Sequence, residues 1–409
     1  FCFCFCYSLS WIFQAPRLRR FSIVANDAIT IPQYLSNRFL SKSHVLQVIC
    51  AIVFLIAYTI YSASSIKACG TLFNTVIGID QTYTMYVAAF IIIGYTFLGG
   101  FSAVCWTDFY QGLMILGSLL IAPIFAVSLI NPQAVAGIPP DYWNPVAKTS
   151  DIISGFGWGL GYFGMPHIII RFMSLESQTS LKKSAKIGIS WTVLIVTFAA
   201  LIGIIGRLKL GLNEDIQSNE LVFIQMVRMI FPGVISGVLL SAVLAASMST
   251  ADSQLLAASS SFSQNLLQDL FGIKLTQKQS ILAARLTVVV IAIIAVFLAR
   301  NPDSSVFKIV SFAWAGFGAT FGPIVLLALF WKRSTLQGAL SGMVVGGIMV
   351  FVWKFLIAPI GGVFGIYELL PAFVLALLVN VIVSLATPAP DADVLATFDE
   401  VNARLAGKE

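Results

Sequence analysis

The chain has 409 residues, 58% hydrophobic and 10% charged, with a formal net charge of +6. Ordinary soluble domains carry about 25% charged residues, so this composition excludes one. The positive balance does not indicate nucleic acid, because Lys and Arg gather between apolar runs, where they orient a membrane protein.

The start of the chain is unusual. Phe1 to Leu9 lacks the basic start and small-residue cleavage site of a secretory leader, and no methionine precedes Met85, so the chain reads as a fragment. Ser8 to Phe13 reads as the tail of a spanning helix, and Arg17, Arg19 and Arg20 mark a basic face. Residues 21–44 form a polar connection. Apolar runs long enough to cross a bilayer then follow at 45–66, 82–100, 111–130, 152–172, 187–206, 232–256, 281–299, 306–331, 336–356 and 366–387. The chain is expected to be one all-α polytopic transporter domain over 1–409. It comprises a truncated span and cytoplasmic connection (1–44), about ten transmembrane helices (45–387) and a short polar cytoplasmic tail (388–409), either a surface helix or disordered. If Arg17–Lys42 is cytoplasmic, alternation places Lys182, Lys183, Lys186, Lys274, Lys278, Lys332 and Arg333 on the same side, and the carboxyl terminus with them. The opposite loops, 131–150 and 207–220, carry fewer basic residues.

Four stretches carry candidate chemistry. Tyr61 lies in the polar patch Tyr58–Ser65, and reads either as an interfacial anchor or as a hydroxyl facing a substrate cavity. In Gly99–Gln111 the double glycine is expected to end one helix, with Thr107 or Asp108 capping the next. The lesser reading puts Asp108 near an ion exit. In Gly155–His167 five glycines and Pro166 fall inside a span, so one straight helix is not expected. Irregular backbone at membrane depth survives where protein buries it or where it lines a wet cavity. Trp158 and Tyr162 would wall an organic substrate there. The competing reading is close helix packing through small residues plus a proline kink.

In Ser241–Ser263, Ala246, Ser249, Thr250 and Ser253 share one helix face, being three and four apart. Two hydroxyls and a carbonyl on one face suit a hard cation such as sodium, which takes oxygen ligands. The competing reading is interhelical hydrogen bonding by Ser and Thr. Asp252 is a further ionisable group on this helix, at a vestibule or helix end. His44 and His167, with six scattered cysteines, give no zinc-site or disulfide spacing. With no nucleophile–base pair either, an enzyme is not expected, nor any cofactor beyond sodium as a coupling ion.

Taken together, Ala25–Phe39, Gly99–Gln111, Gly157–Phe172, Leu240–Ser260 and Ser311–Pro323 resemble the sodium/solute symporter family, most closely its sodium/proline symporter branch. The resemblance runs from about Trp11 onward. It implies an inverted repeat of five plus five helices with extra helices, and with substrate and sodium near broken helices at the midplane. It further implies thirteen spans with the first two missing here, including the first broken helix, so that the chain as given lacks part of its site. By position, Ala246, Ser249 and Thr250 match the family's sodium-site helix. Trp158, Tyr162 and Tyr61 resemble its substrate-lining residues. Met165 departs from the branch, which usually has Gln there. The implied function is sodium-coupled uptake of a small amino acid, proline first, by alternating access in the cell membrane. Another small organic substrate (a carboxylate, vitamin or sugar) or a transporter-like sensor module are the alternatives.

Overall fold

The computed structural model describes residues 2–28, 30–128, 130, 148–175, 177–210, 219–263, 267, 271, 273–301 and 305–405. Their regular structure is helical. In chain order come α1 (Cys2–Leu9), a π turn (Ser10–Gln14), α2 (Ala15–Val24), α3 (Ile31–Arg38), α4 (Val45–Ile77) and α5 (Gln81–Val127). The broken span follows as α6 (Thr149–Leu160), a 3-10 turn (Gly161–Phe163) and α7 (Pro166–Met173). Then come α8 (Gln178–Leu210), α9 (Val222–Ile230), α10 (Gly233–Ser261), α11 (Gln277–Ala299), α12 (Val306–Phe330), α13 (Leu336–Val352), α14 (Leu369–Ala386) and α15 (Ala392–Leu405).

Eight of the helical stretches among the described residues are long and apolar enough to cross a membrane. Two further expected spans take other forms: Gln81–Gly94 is the apolar first part of α5, and 152–172 is the broken span. The protein is therefore a multi-pass membrane protein. Residues 131–147 and 211–218, which make up most of the loops expected on the opposite face, lie outside the described residues.

Local chemistry sets many helix starts. The side chains of Thr30, Asp80, Ser305 and Thr335 each accept a backbone N–H in the first turn of α3, α5, α12 and α13. Thr276 and Gln279 form a reciprocal capping box on α11. Helix α4 stops at Gly78, whose φ of +78° suits a residue without Cβ.

The double glycine does not end a helix. Helical backbone continues through Gly99 and Gly100, so the two expected spans 82–100 and 111–130 belong to one helical element. Where water is scarce, an unsatisfied backbone group costs more than the ~1 kcal/mol that glycine loses to alanine in a helix. Thr107 is not a cap either; its hydroxyl donates to Val104 O inside the helix. Asp108 sits in the same helix and is used elsewhere.

The centre of the fold is α12, whose buried residues run from Ser311 to Leu329. It is wrapped by α4, α13 and α14, while α10 packs on α4, α5 and α11. The tail is an ordered helix. Val394, Phe398 and Val401 of α15 are buried against the α2 end of the bundle. Arg17 donates to Leu329 O and Asn402 Oδ1, and Arg20 to Arg404 O. Arg38 is fully buried, donates to Ala328 O, and lies 5.1–5.4 Å from the ring centroids of Phe21, Phe39 and Phe398. Burial holds the neighbouring Tyr34 hydroxyl protonated, well above the usual phenol range. The stretch 21–44 is thus less a polar connection than a second wall under the tail helix.

Candidate functional site

The broken span is the best-defined feature of the site. Pro166 has no N–H to give, and the chain tightens into a 3-10 turn at Gly161–Phe163 before α7 begins. Side chains from elsewhere in the fold donate to carbonyls on both sides of the turn. The Trp314 indole donates to Trp158 O at 2.9 Å, and Gln14 Nε2 donates to Phe163 O at 2.9 Å. Glycine serves close approach here. A Cβ on Gly161 would fall on the Trp314 indole, and one on Gly164 would fall on the Gly322 backbone of α12. The small-residue reading therefore holds alongside the break: the glycine side of the break is packed with protein.

Aromatic rings surround the break on both sides. Trp158 is half-buried and stacks on Phe307, Trp314 and Tyr367, with centroids 5.4–5.6 Å apart and planes within 24°. Tyr162 is also half-buried and meets Trp314 at 5.0 Å and Tyr7 at 4.9 Å, both edge-on. Trp314 thus joins the two residues expected to wall the substrate. It is 5% exposed and was not assigned a role from sequence, although it sits inside the quoted Ser311–Pro323 stretch. Its signal was a bulky indole set among Ala and Gly on an otherwise apolar helix.

Tyr61 reaches the other end of the break, with its ring 6.3 Å from that of His167, edge-on. Met165, placed by the resemblance where an amide is usual, is fully buried in the main core. Its thioether occupies an apolar position, not a polar wall.

The expected ion face lies about halfway along α10. The hydroxyls of Ser249 and Thr250 both donate to Ala246 O, at 3.2 and 2.9 Å. A hydroxyl that gives its proton away keeps two lone pairs, so both oxygens are left as acceptors. All three residues are half-buried. One turn further, Ser253 Oγ lies 3.4 Å from Asp108 Oδ2, which also takes Arg171 at 3.4 Å. Asp108 is therefore brought to α10 across the helix interface, and not to a helix cap. Asp252 is fully buried within α10, and its Oδ1 accepts the Ser253 N–H at 2.6 Å. It is neither at a helix end nor in an exposed vestibule.

The model of the sodium:solute symporter family matches residues 1–346. The chain belongs to the sodium:solute symporter family. Among curated members, the sodium/proline symporter of Staphylococcus aureus is 39% identical over 406 residues, covering 96% of this chain and 80% of its own. That of S. aureus strain USA300 is 40% identical, covering 96% and 79%. Among solved structures, the substrate-bound outward-open state of a Na+-coupled sialic acid symporter superposes with a TM-score of 0.75 at 17% identity. It covers 95% of this chain and 84% of that one, which establishes the symporter fold across nearly the whole chain.

Proposed function

We propose that this family member couples sodium to the uptake of proline across a cell membrane, with its carboxyl terminus in the cytoplasm. The observation that carries the reading is the pairing of two elements in one fold. One is a helix break walled by Trp158, Tyr162 and Trp314. The other is a helix face on which Ala246, Ser249 and Thr250 gather their oxygens. Aromatic faces suit the ring carbons of a small cyclic amino acid, and oxygen ligands suit sodium. The relatives at about 40% identity are sodium/proline symporters, which supports proline as the solute.

The basic residues support the orientation. Arg17, Arg20, Lys332 and Arg333 meet at the α15 end of the bundle, where Lys332 pairs with Asp399 at 2.6 Å. Basic segments of a membrane protein stay on the cytoplasmic side. Ala246, Ser249 and Thr250 are proposed as sodium ligands. Trp158, Tyr162 and Tyr61 are proposed as substrate contacts, with Asp108 beside the ion path. Sodium binding would favour one conformation, and transport follows from different affinities in the two.

A second reading, another small organic solute, is favoured by one observation: Met165 puts a buried thioether where the proline branch usually has an amide. Uptake of labelled proline by cells expressing the protein from its native gene decides between them. Uptake that needs sodium and is competed by excess unlabelled proline supports proline. Sodium-dependent uptake of a different solute, with no proline uptake, supports the second reading. Uptake indifferent to sodium would remove both.

A further inference from the structure

The Phe163 carbonyl is a group that an unbroken helix would pair with the N–H of residue 167. In this protein it accepts instead from Gln14, a side chain 149 residues away and fully buried. The Gln14 amide is itself held. Ser10, also fully buried, donates to its Oε1 at 2.7 Å, which fixes which end of the amide is the donor. Both residues lie on the π turn Ser10–Gln14. That turn exists because Pro16 cannot donate a backbone hydrogen bond, and the Ala15 N–H bonds back to Ser10 O. The π turn places Ser10 against Gln14, and Gln14 against the break. Two irregular backbones, one in each of two helices, are thereby bolted together by one amide.

We propose that Gln14, oriented by Ser10, is a positioning residue for the substrate break: it fixes the Phe163 carbonyl and, through it, the placement of Tyr162. This rests on the reading of Tyr162 as a substrate contact. A leucine of similar size fills the space of Gln14 but leaves Phe163 O without a donor. A carbonyl in this half-buried turn left without its donor is disfavoured enough to shift the turn. Phe163 is the residue next to Tyr162, so the aromatic wall moves with it.

Two measurements test this on the protein expressed from its native gene. The first needs no solute. Hydrogen exchange in Gln14→Leu should quicken in peptides spanning 158–168 and stay unchanged in peptides from α14. Gln14→His, which restores an N–H donor, should return exchange toward the native rate. Acceleration spread evenly over the chain, or none, would overturn the tether. The second is the kinetic split. Gln14→Leu should raise the KM for proline roughly tenfold, with the sodium requirement and the amount of protein in the membrane unchanged. Ser10→Ala should raise it less. Equal shifts in the proline and sodium requirements, or an unchanged KM with altered exchange, would overturn the positioning role. If the native protein takes up no proline at all, it is the proline reading that fails, and hydrogen exchange alone still decides the tether.

Discussion

The broken span and α10 handle backbone and hydroxyl groups in opposite ways. At the break, the carbonyls of Trp158 and Phe163 accept from side chains of distant segments, and Gly161 and Gly164 close the space against α12. On α10, Ser249 and Thr250 bond within their own helix and leave their lone pairs half-exposed. The break is a finished, rigid wall. The α10 face is a row of oxygens whose lone pairs remain open as acceptors. A substrate wall that must discriminate shape benefits from fixed geometry, whereas an ion face has to accept and release its ligand.

The largest expected effect tests the rigidity of the wall. Gly164→Ala places a methyl against the Gly322 backbone, which cannot swing aside as a side chain would. It should destabilise by about 3 kcal/mol and deplete protein from the membrane. The same change at Gly237 of α10, where a Cβ would meet nothing beyond its own helix within 4 Å, should leave the melting temperature of the solubilised protein unaltered or slightly raised. Equal melting of the two variants would erase the contrast.

Next comes the indole that joins the two walls. Trp314→Phe keeps a ring but removes the donor to Trp158 O. A loss of about 1–2 kcal/mol is expected, together with weaker proline binding and an unaltered sodium requirement. Sodium and proline affinities falling in parallel would show that wall and ion face are not separable.

A smaller effect is expected at Asp108, which bonds to both Arg171 and Ser253. Asp108→Asn keeps the shape and removes the charge. Because Arg171 is largely exposed, its pairing contributes about 1 kcal/mol or less to stability. The informative readout is sodium dependence, which should weaken if the carboxylate lies on the ion path. An unchanged sodium curve would reduce Asp108 to a structural tie between α5 and α10.

Much of this was legible in the sequence, and the failures share a cause. The spans follow from apolar length, and the break follows from Gly155–Gly164 and Pro166, because a residue's own backbone chemistry decides both. The face bearing Ala246, Ser249 and Thr250 follows from helical spacing alone. Gly99–Gly100 misled because glycine's preference for a turn is weak beside the demand for paired backbone groups in a bilayer. The tail reads as a surface helix or disorder, and residues 392–405 do form a helix, but the sequence does not show that it docks. Its docking depends on Phe398, Arg17 and Arg38 meeting across more than 350 residues of chain. Trp314 and Gln14 were missed for the same reason: each acts on a carbonyl in another helix, and no local pattern marks such a partner.

The sodium concentration for half-maximal proline uptake in Thr250→Ala tests the proposed sodium face of α10 most directly. Among the described residues the Thr250 hydroxyl bonds within its own helix, so its loss should alter stability by no more than about 1 kcal/mol. The half-maximal sodium concentration should nonetheless rise about tenfold or more, since one oxygen ligand is gone. A sodium curve that overlays that of the native protein, at equal protein in the membrane, would contradict the assignment.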